Sequence, residues 1–391
     1  MKMHKSGIIA AGLALFSMFF GAGDLIWPLI LGGQMGAQIP YALGGFLVTA
    51  VSLPLLGLIS MMLFQGDYRA FFNQTGKRVG FVLLFVIQMI LGPFGSLPRL
   101  FTLAHATLLP YFPNLTLLTF SMISGLLVLF LCFRKHSIVD LLGLILTPVL
   151  LLSLGVILWL GFVHHPEPQP VDIQPMQAAW TGLGTGYNTL DMIASFIFAP
   201  LVFAYFKRDE GMPDSVEARR HIFKKMTVSC AIAGVLLILM FTGLTLIGAC
   251  YKHTLPVHSP EQSLSLIAIR LLGTKGALFS CVAVALSCLT TAIPICVISG
   301  YYLQETFFRG RAHPLVALAI PLVVSVLLAN LGFMGIAMLL APLLQILCPG
   351  LIILCVLNIC HKLYEVPMRT FPVFAAFALS FAGYWWSHLP T

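Results

Sequence analysis

Apolar runs of about 20 residues or more recur from one end of this chain to the other, and they limit its fold more than any other feature. Residues 141–162, LLGLILTPVLLLSLGVILWLGF, contain no charge at all. An α-helix needs about 20 apolar residues to cross a bilayer core of about 30 Å. Backbone groups in lipid must find their hydrogen bonds inside the protein, so only helices and closed barrels span it. A barrel shows alternating segments of about 10 residues; these runs are continuous instead. Of the 391 residues 59% are hydrophobic and 9% charged, too few charges to cover a soluble surface. The fold class is an all-α polytopic membrane protein.

Eleven spans are expected, at roughly 6–31, 38–64, 79–110, 115–133, 137–162, 180–206, 224–250, 275–305, 313–331, 335–360 and 370–388. With the N-terminus inside, most of the 21 Lys and Arg fall in inner segments, among them Lys2, Lys5, Arg69, Lys77, Arg78, Arg134, Lys135, Lys207, Arg208, Lys362 and Arg369. The outer segments take Lys252, Arg270 and Lys275, and Arg99 lies within a span. This positive-inside bias sets the orientation and places the C-terminus outside. The net charge of +8 therefore lies along one membrane face, where anionic lipids attract it, and argues for no nucleic acid. The start, MKMHKSGIIAAGLALFSMFFGAG, has the features of a signal peptide, but the apolar run continues to Leu31, long enough for a retained first helix. The nine cysteines lie mostly within spans and form no CxxC, as packing residues do. Of the longer loops, 163–179 is proline-rich, and 207–225 is expected to form a short surface helix. His164-His165 lack further metal ligands. Gly182, Gly184 and Gly186 mimic a nucleotide loop but follow no strand.

The informative residues are the intramembrane charges, Asp24, Arg99 and Asp191. A charged group at mid-bilayer costs about 3 kcal/mol or more. A buried ion-pair network is the plain explanation, but packed apolar contacts would stabilise as well. Asp140 and Glu305, near inner ends, can snorkel or cap. Asp24 follows Gly21-Ala22-Gly23, and Asp191 follows Gly186-Tyr187-Asn188-Thr189-Leu190. They fall in spans one and six, the leading helices of two five-span halves that start on opposite faces. Interrupted helices at matching positions of inverted repeats mark a mid-membrane binding site. Glycine lets the backbone leave the helix, and the freed groups become ligands. Close helix packing is the competing use of these glycines; the two segments together favour broken helices.

The stretches FSMFFGAGDLIWP (16–28) and GYNTLDMIASFIF (186–198), with Leu97-Pro98-Arg99 and Cys288-Leu289-Thr290-Thr291-Ala292, resemble the bacterial branched-chain amino acid:cation symporters of the amino acid–polyamine–organocation superfamily. The resemblance covers most of the chain. It implies a LeuT-type five-plus-five inverted repeat with broken helices one and six. The whole chain, 1–391, would be one transport domain: repeat one about 6–162, repeat two about 180–360, and an extra C-terminal helix at about 370–388. The implied function is import of leucine, isoleucine or valine with sodium across the bacterial cytoplasmic membrane, with no other cofactor. Amides near Gly21, Ala22 and Gly23 would hold the substrate carboxylate, with Gly186, Tyr187 and Asn188 opposite. Apolar side chains of spans three, six and eight would enclose the aliphatic chain. Carbonyls of Ser17 and Phe20 with the hydroxyls of Thr290 and Thr291 would offer a hard cation neutral oxygens; back-bonding to a helix carbonyl is the plain role of such threonines. Asp24 and Thr189 would face a further cation beside the substrate, with Arg99 and Asp191 as charge partners. The chain departs from the family pattern where asparagine is usual at Asp24, where two prolines are usual at Pro28-Leu29, and in lacking a twelfth span.

A second class competes. Gly21-Ala22-Gly23-Asp24 matches the GxGD motif of intramembrane aspartyl proteases, whose two carboxylates share a proton. Asp191 would be the partner, but in those enzymes the partner precedes GxGD, and here no acid precedes Asp24. A channel is a third reading, without a repeated filter or ring of acids to support it.

Overall fold

The computed structural model describes residues 5–132, 138–163, 173–210, 216–256 and 259–387. Its long helices are α1 (Lys5–Phe19), α2 (Ala22–Met35), α3 (Ile39–Leu47), α4 (Leu53–Leu63), α5 (Lys77–Leu91), α6 (Ser96–Leu108), α7 (Leu117–Cys132), α8 (Thr147–Val163), α9 (Pro175–Tyr187), α10 (Asp191–Glu210), α11 (Val216–Cys250), α12 (Ser263–Gly276), α13 (Leu278–Thr306), α14 (Pro314–Ala329), α15 (Gly332–Tyr364) and α16 (Phe371–Ser387). Among the described residues, six helical stretches, or seven with the bent pair α9–α10, are long and apolar enough to cross a membrane, and α1, α7, α14 and α16 are shorter apolar helices. Pairing α1 with α2 and α3 with α4 divides them into the eleven passes expected, numbered in chain order. The lipid-facing surface is apolar, with Leu126, Leu152 and Trp159 two-thirds or more exposed.

Three passes are broken. The first stops at Phe19, and Gly21 is extended (φ −103°, ψ −154°) before α2 starts. The sixth stops at Tyr187 and resumes at Asp191 with a bend of 42°. Leu190 there has φ 75°, a left-handed conformation that costs a branched side chain of order 1–3 kcal/mol. The third pass, expected to be continuous, breaks at Gly92-Pro93-Phe94-Gly95. The proline cannot donate and the glycines relieve the backbone.

The halves pack reciprocally. Pass one lies along α11, the seventh pass, and pass six lies along α3 and α4, the second. Exchanging one for six and two for seven gives the same arrangement, as an inverted repeat requires. Both contacts need glycine. A Cβ on Gly32 would lie 1.8 Å from the Thr245 carbonyl oxygen, and one on Gly182 1.9 Å from that of Ala42. Small residues here let backbones approach.

Some expectations change. The described parts of 207–225 are the ends of α10 and α11, not a separate surface helix. His164-His165, Lys2, Arg134 and Lys135 lie outside the described residues. Gly182 is a packing glycine. All nine cysteines are free thiols, buried or half-buried. Asp140 accepts a hydrogen bond from the Tyr205 hydroxyl at 2.8 Å, and Glu305 pairs with Arg69 at 3.0 Å.

Candidate substrate and cation site

The breaks of passes one and six meet in the middle of the bundle. Around them lies a narrow cavity of about 20 Å³, room for one water. Gly21, Ala22, Gly23 and Asp24 line it from the first break, Thr189, Leu190 and Asp191 from the sixth, and Arg99 from the third pass. Its apolar wall is Leu91 on α5, Ala194 and Phe198 on α10, and Ile295 on α13, with Met18 and Phe19. Apart from Met18 and Phe19 on α1, these belong to the third, sixth and eighth passes, the spans that the resemblance names.

Asp24 has a structural duty. It is the third residue of α2, and its Oδ2 accepts the Gly21 backbone N–H at 2.8 Å. A carboxylate in the first helical turn satisfies an orphan amide and faces the positive end of the helix dipole. One of the three amides expected to meet a substrate carboxylate is thus held by the chain itself. The other carboxyl oxygen, Oδ1, is buried without a partner.

Asp191 opens α10 at the opposite break, and the two carboxyl groups lie within side-chain hydrogen-bonding reach of each other. Its Oδ2 is also buried and unpartnered. Thr189 donates to the Gly186 carbonyl at 2.9 Å, closing the frayed end of α9. Gly186 turns away from the cavity, against the Thr49 hydroxyl of the second pass, and Tyr187 is half-buried beside it.

Arg99 makes no ion pair within 4 Å to either carboxyl group among the described residues. Its Nη1 and Nη2 both donate to the Asn188 carbonyl, at 3.0 Å each, tying α6 to the sixth break. Nε has no partner, and the Phe333 ring covers the guanidinium, 4.6 Å from its carbon to the ring centroid. Trp27 packs on the same ring at 6.2 Å. Arg99, Asp24 and Asp191 are each at most 2% exposed.

One turn back along α1 is a second cluster. Thr290 donates to the Ser17 carbonyl at 3.0 Å, Thr291 to the same oxygen at 3.2 Å, and Ser287 to the Phe20 carbonyl at 2.6 Å. All four oxygens expected of a cation site are therefore together. Thr290 also donates to Ser287 O at 3.0 Å, the back-bonding anticipated as its plain role. Ser287 is a fifth oxygen that sequence reasoning missed; its signal was the spacing of one helical turn before Thr290 and Thr291.

Broken first and sixth helices in reciprocal halves, with buried charges where they meet, define a transporter of the inverted-repeat, broken-helix class. A family model described as "Branched-chain amino acid transport protein" matches residues 4–384. The chain belongs to that family, a family of transporters and not of enzymes. It is 27% identical to the branched-chain amino acid permease BrnQ of Bacillus subtilis over 374 residues, 93% of this chain and 83% of the relative. It is 30% identical to a putative branched-chain amino acid carrier protein of Staphylococcus haemolyticus over 368 residues, 89% and 80% of the two chains. Among solved structures, Mhp1, a nucleobase-cation-symport-1 family transporter in a closed conformation with bromovinylhydantoin bound, superposes with TM-score 0.66 over 97% of this chain and 92% of its own, at 14% identity. The Eremococcus coleocola manganese transporter gives 0.62 over 100% and 91%, at 13% identity. These two likenesses establish the LeuT-type fold. The protease alternative falls with the family assignment. Asp24 and Asp191 do come together, but beside an arginine and in a cavity that could not admit a peptide.

Proposed function

We propose that this multi-pass protein imports branched-chain amino acids with a monovalent cation, sodium, by alternating access across the bacterial cytoplasmic membrane, N-terminus inside and C-terminus outside. The observation that carries the coupling is the five-oxygen cluster between α1 and α13. Ser17 O, Phe20 O and the Ser287, Thr290 and Thr291 hydroxyls are neutral hard ligands from two helices. Rotating the three hydroxyls presents their lone pairs to an ion. Charge supports the same reading. Asp24, Asp191 and Arg99 leave one negative charge uncompensated when all are ionised, and a monovalent cation nearby restores neutrality in a dry site.

The substrate lies at the junction of the two breaks, its aliphatic chain against Leu91, Ala194, Phe198 and Ile295. The cavity is too small for an amino acid, so binding requires the breaks to separate. A cavity of about 510 Å³ already opens at the end carrying Tyr68, Arg208 and Glu305. Its walls include Pro200 and Leu201, just beyond Phe198, and Val297 and Ile298, just beyond Ile295. Phe198 and Ile295 thus form the partition between the site and that face.

The experiment is uptake of labelled leucine into liposomes holding the purified protein, with an imposed sodium gradient, an imposed proton gradient, or neither. Accumulation driven by sodium is expected. Accumulation driven by protons alone would overturn the choice of ion, and no uptake of any branched-chain amino acid would overturn the function.

A further inference from the structure

Three buried polar atoms of this cavity have no partner: Asp24 Oδ1, Asp191 Oδ2 and Arg99 Nε. Leaving a buried charged group short of hydrogen bonds is costly unless a ligand supplies them. The atoms are of opposite charge and belong to three different passes. The two carboxyl groups are within hydrogen-bonding reach of each other across the junction of the breaks, so a ligand enters between them only as the breaks part, and a guanidinium stands beside them.

We infer that this triad reads the charged ends of the substrate: Arg99 binds the α-carboxylate, and Asp24 with Asp191 holds the α-ammonium between them. The inference rests on the substrate site proposed above and adds the groups that recognise an α-amino acid there. The helix amides alone cannot do this work. The Gly21 N–H is spent on Asp24 Oδ2, so a carboxylate at the start of α2 meets a resident carboxylate. Arg99 removes that conflict. An ideal Cβ on Gly23 would lie 3.2 Å from Arg99 Nη2, so the guanidinium runs alongside the first turn of α2. A carboxylate there takes a forked pair of hydrogen bonds from Arg99.

The ammonium completes the pattern. Two anionic groups this close repel, and a cation between them is the favourable arrangement. An ammonium offers three donors to the two free carboxyl oxygens. It occupies the place that the sequence suggested for a metal ion at Asp24 and leaves the metal to the hydroxyl cluster on α13.

The same contact gives the substrate leverage on the fold. In this structure both Nη atoms of Arg99 hold the Asn188 carbonyl. A carboxylate competes for those hydrogens with full charge against a neutral oxygen. Binding therefore loosens the tie between α6 and the sixth break.

The test is a calorimetric titration of the purified full-length protein with leucine, leucinamide and 4-methylpentanoate. The amide lacks the carboxylate charge and the acid lacks the ammonium. In the unaltered protein leucine should bind roughly tenfold or more tightly than either analogue, the effect of one charged hydrogen-bonding partner. Arg99→Lys keeps the balancing charge but loses the fork, and should bring the preference over leucinamide below about threefold. Asp191→Asn should do the same for the preference over 4-methylpentanoate and leave the preference over leucinamide unchanged. A ratio is insensitive to general loosening, which weakens all three ligands together. Preferences that survive both substitutions, or an unaltered protein that binds the analogues as well as leucine, overturn the inference while leaving transport in place. Failure to bind any branched-chain amino acid overturns the function proposed above.

Discussion

Gly23 sits where the two breaks touch, so replacing it with alanine probes the centre of the site with one methyl group. The added Cβ would stand 3.0 Å from the Thr189 Cα, 3.2 Å from the Thr189 carbonyl oxygen and 3.2 Å from Arg99 Nη2. Ordinary carbon contacts begin near about 3.5 Å, so the sixth break must retreat by about 0.5 Å. Its Thr189 neighbours are backbone atoms and cannot rotate away. Overpacking of this kind costs about 1–3 kcal/mol, or a factor of about 5 to 150 in any equilibrium that needs the closed junction. Gly23→Ala should therefore fold, lose thermal stability and lower leucine uptake by about fivefold or more at subsaturating substrate, the lower end of that range. Gly184→Ala is the control, because a Cβ there meets nothing within 4 Å. In a helix interior that change should be neutral or stabilising by about 0.5–1 kcal/mol. Uptake by initial rate and melting temperature in detergent measure both. Gly23→Ala with uptake within twofold and an unchanged melting temperature would refute the contact between the breaks.

Removing the hydroxyls of the oxygen cluster tests the cation directly. Ser287→Ala together with Thr290→Val and Thr291→Val should raise the sodium concentration for half-maximal uptake roughly tenfold or more, by loss of three ligands at about 0.5–1.5 kcal/mol each. Unaltered sodium dependence would return the hydroxyls to back-bonding. Asp24→Asn should keep the cap to Gly21 and a near-normal melting temperature, whereas Asp24→Ala should cost about 1 kcal/mol through loss of that cap; equal stability of the two would remove the capping role. A reporter active only outside the cytoplasm, fused after Thr391, should be active, and a silent one would reverse the orientation or the parity of the passes.

The apolar spans and the first and sixth breaks were legible because hydropathy and paired glycines report on the backbone alone. The oxygen cluster was legible in four of its five members through the family pattern. What the sequence concealed is relational. Gly92-Pro93-Phe94-Gly95 reads as a breaker only once one accepts that a third pass can break too. The Leu190 conformation carries no sequence mark, since leucine ordinarily avoids positive φ. Gly186, which the family pattern places beside the substrate, also needs its bare face for Thr49, a helix away in space and unmarked in the sequence. Asp24, expected to face a cation beside the substrate, also accepts the Gly21 amide of its own helix on one carboxyl oxygen.

Arg99 shows why such relations matter for mechanism. A guanidinium bound to Asn188 on one side and covered by Phe333 on the other belongs at once to the sixth break and to the aromatic contact of Phe333 with Trp27. Turning it toward a substrate carboxylate changes both contacts together. The oxygen cluster has the same double membership, because Ser17 and Phe20 end α1 while Ser287, Thr290 and Thr291 belong to α13. A cation there fixes the end of α1 against the eighth pass, and an amino acid at the junction fixes α2 against the sixth. Each ligand therefore reduces the freedom of the break that the other must find in place. On the proposed coupling their affinities would be linked reciprocally, the linkage that a symporter requires of its two sites.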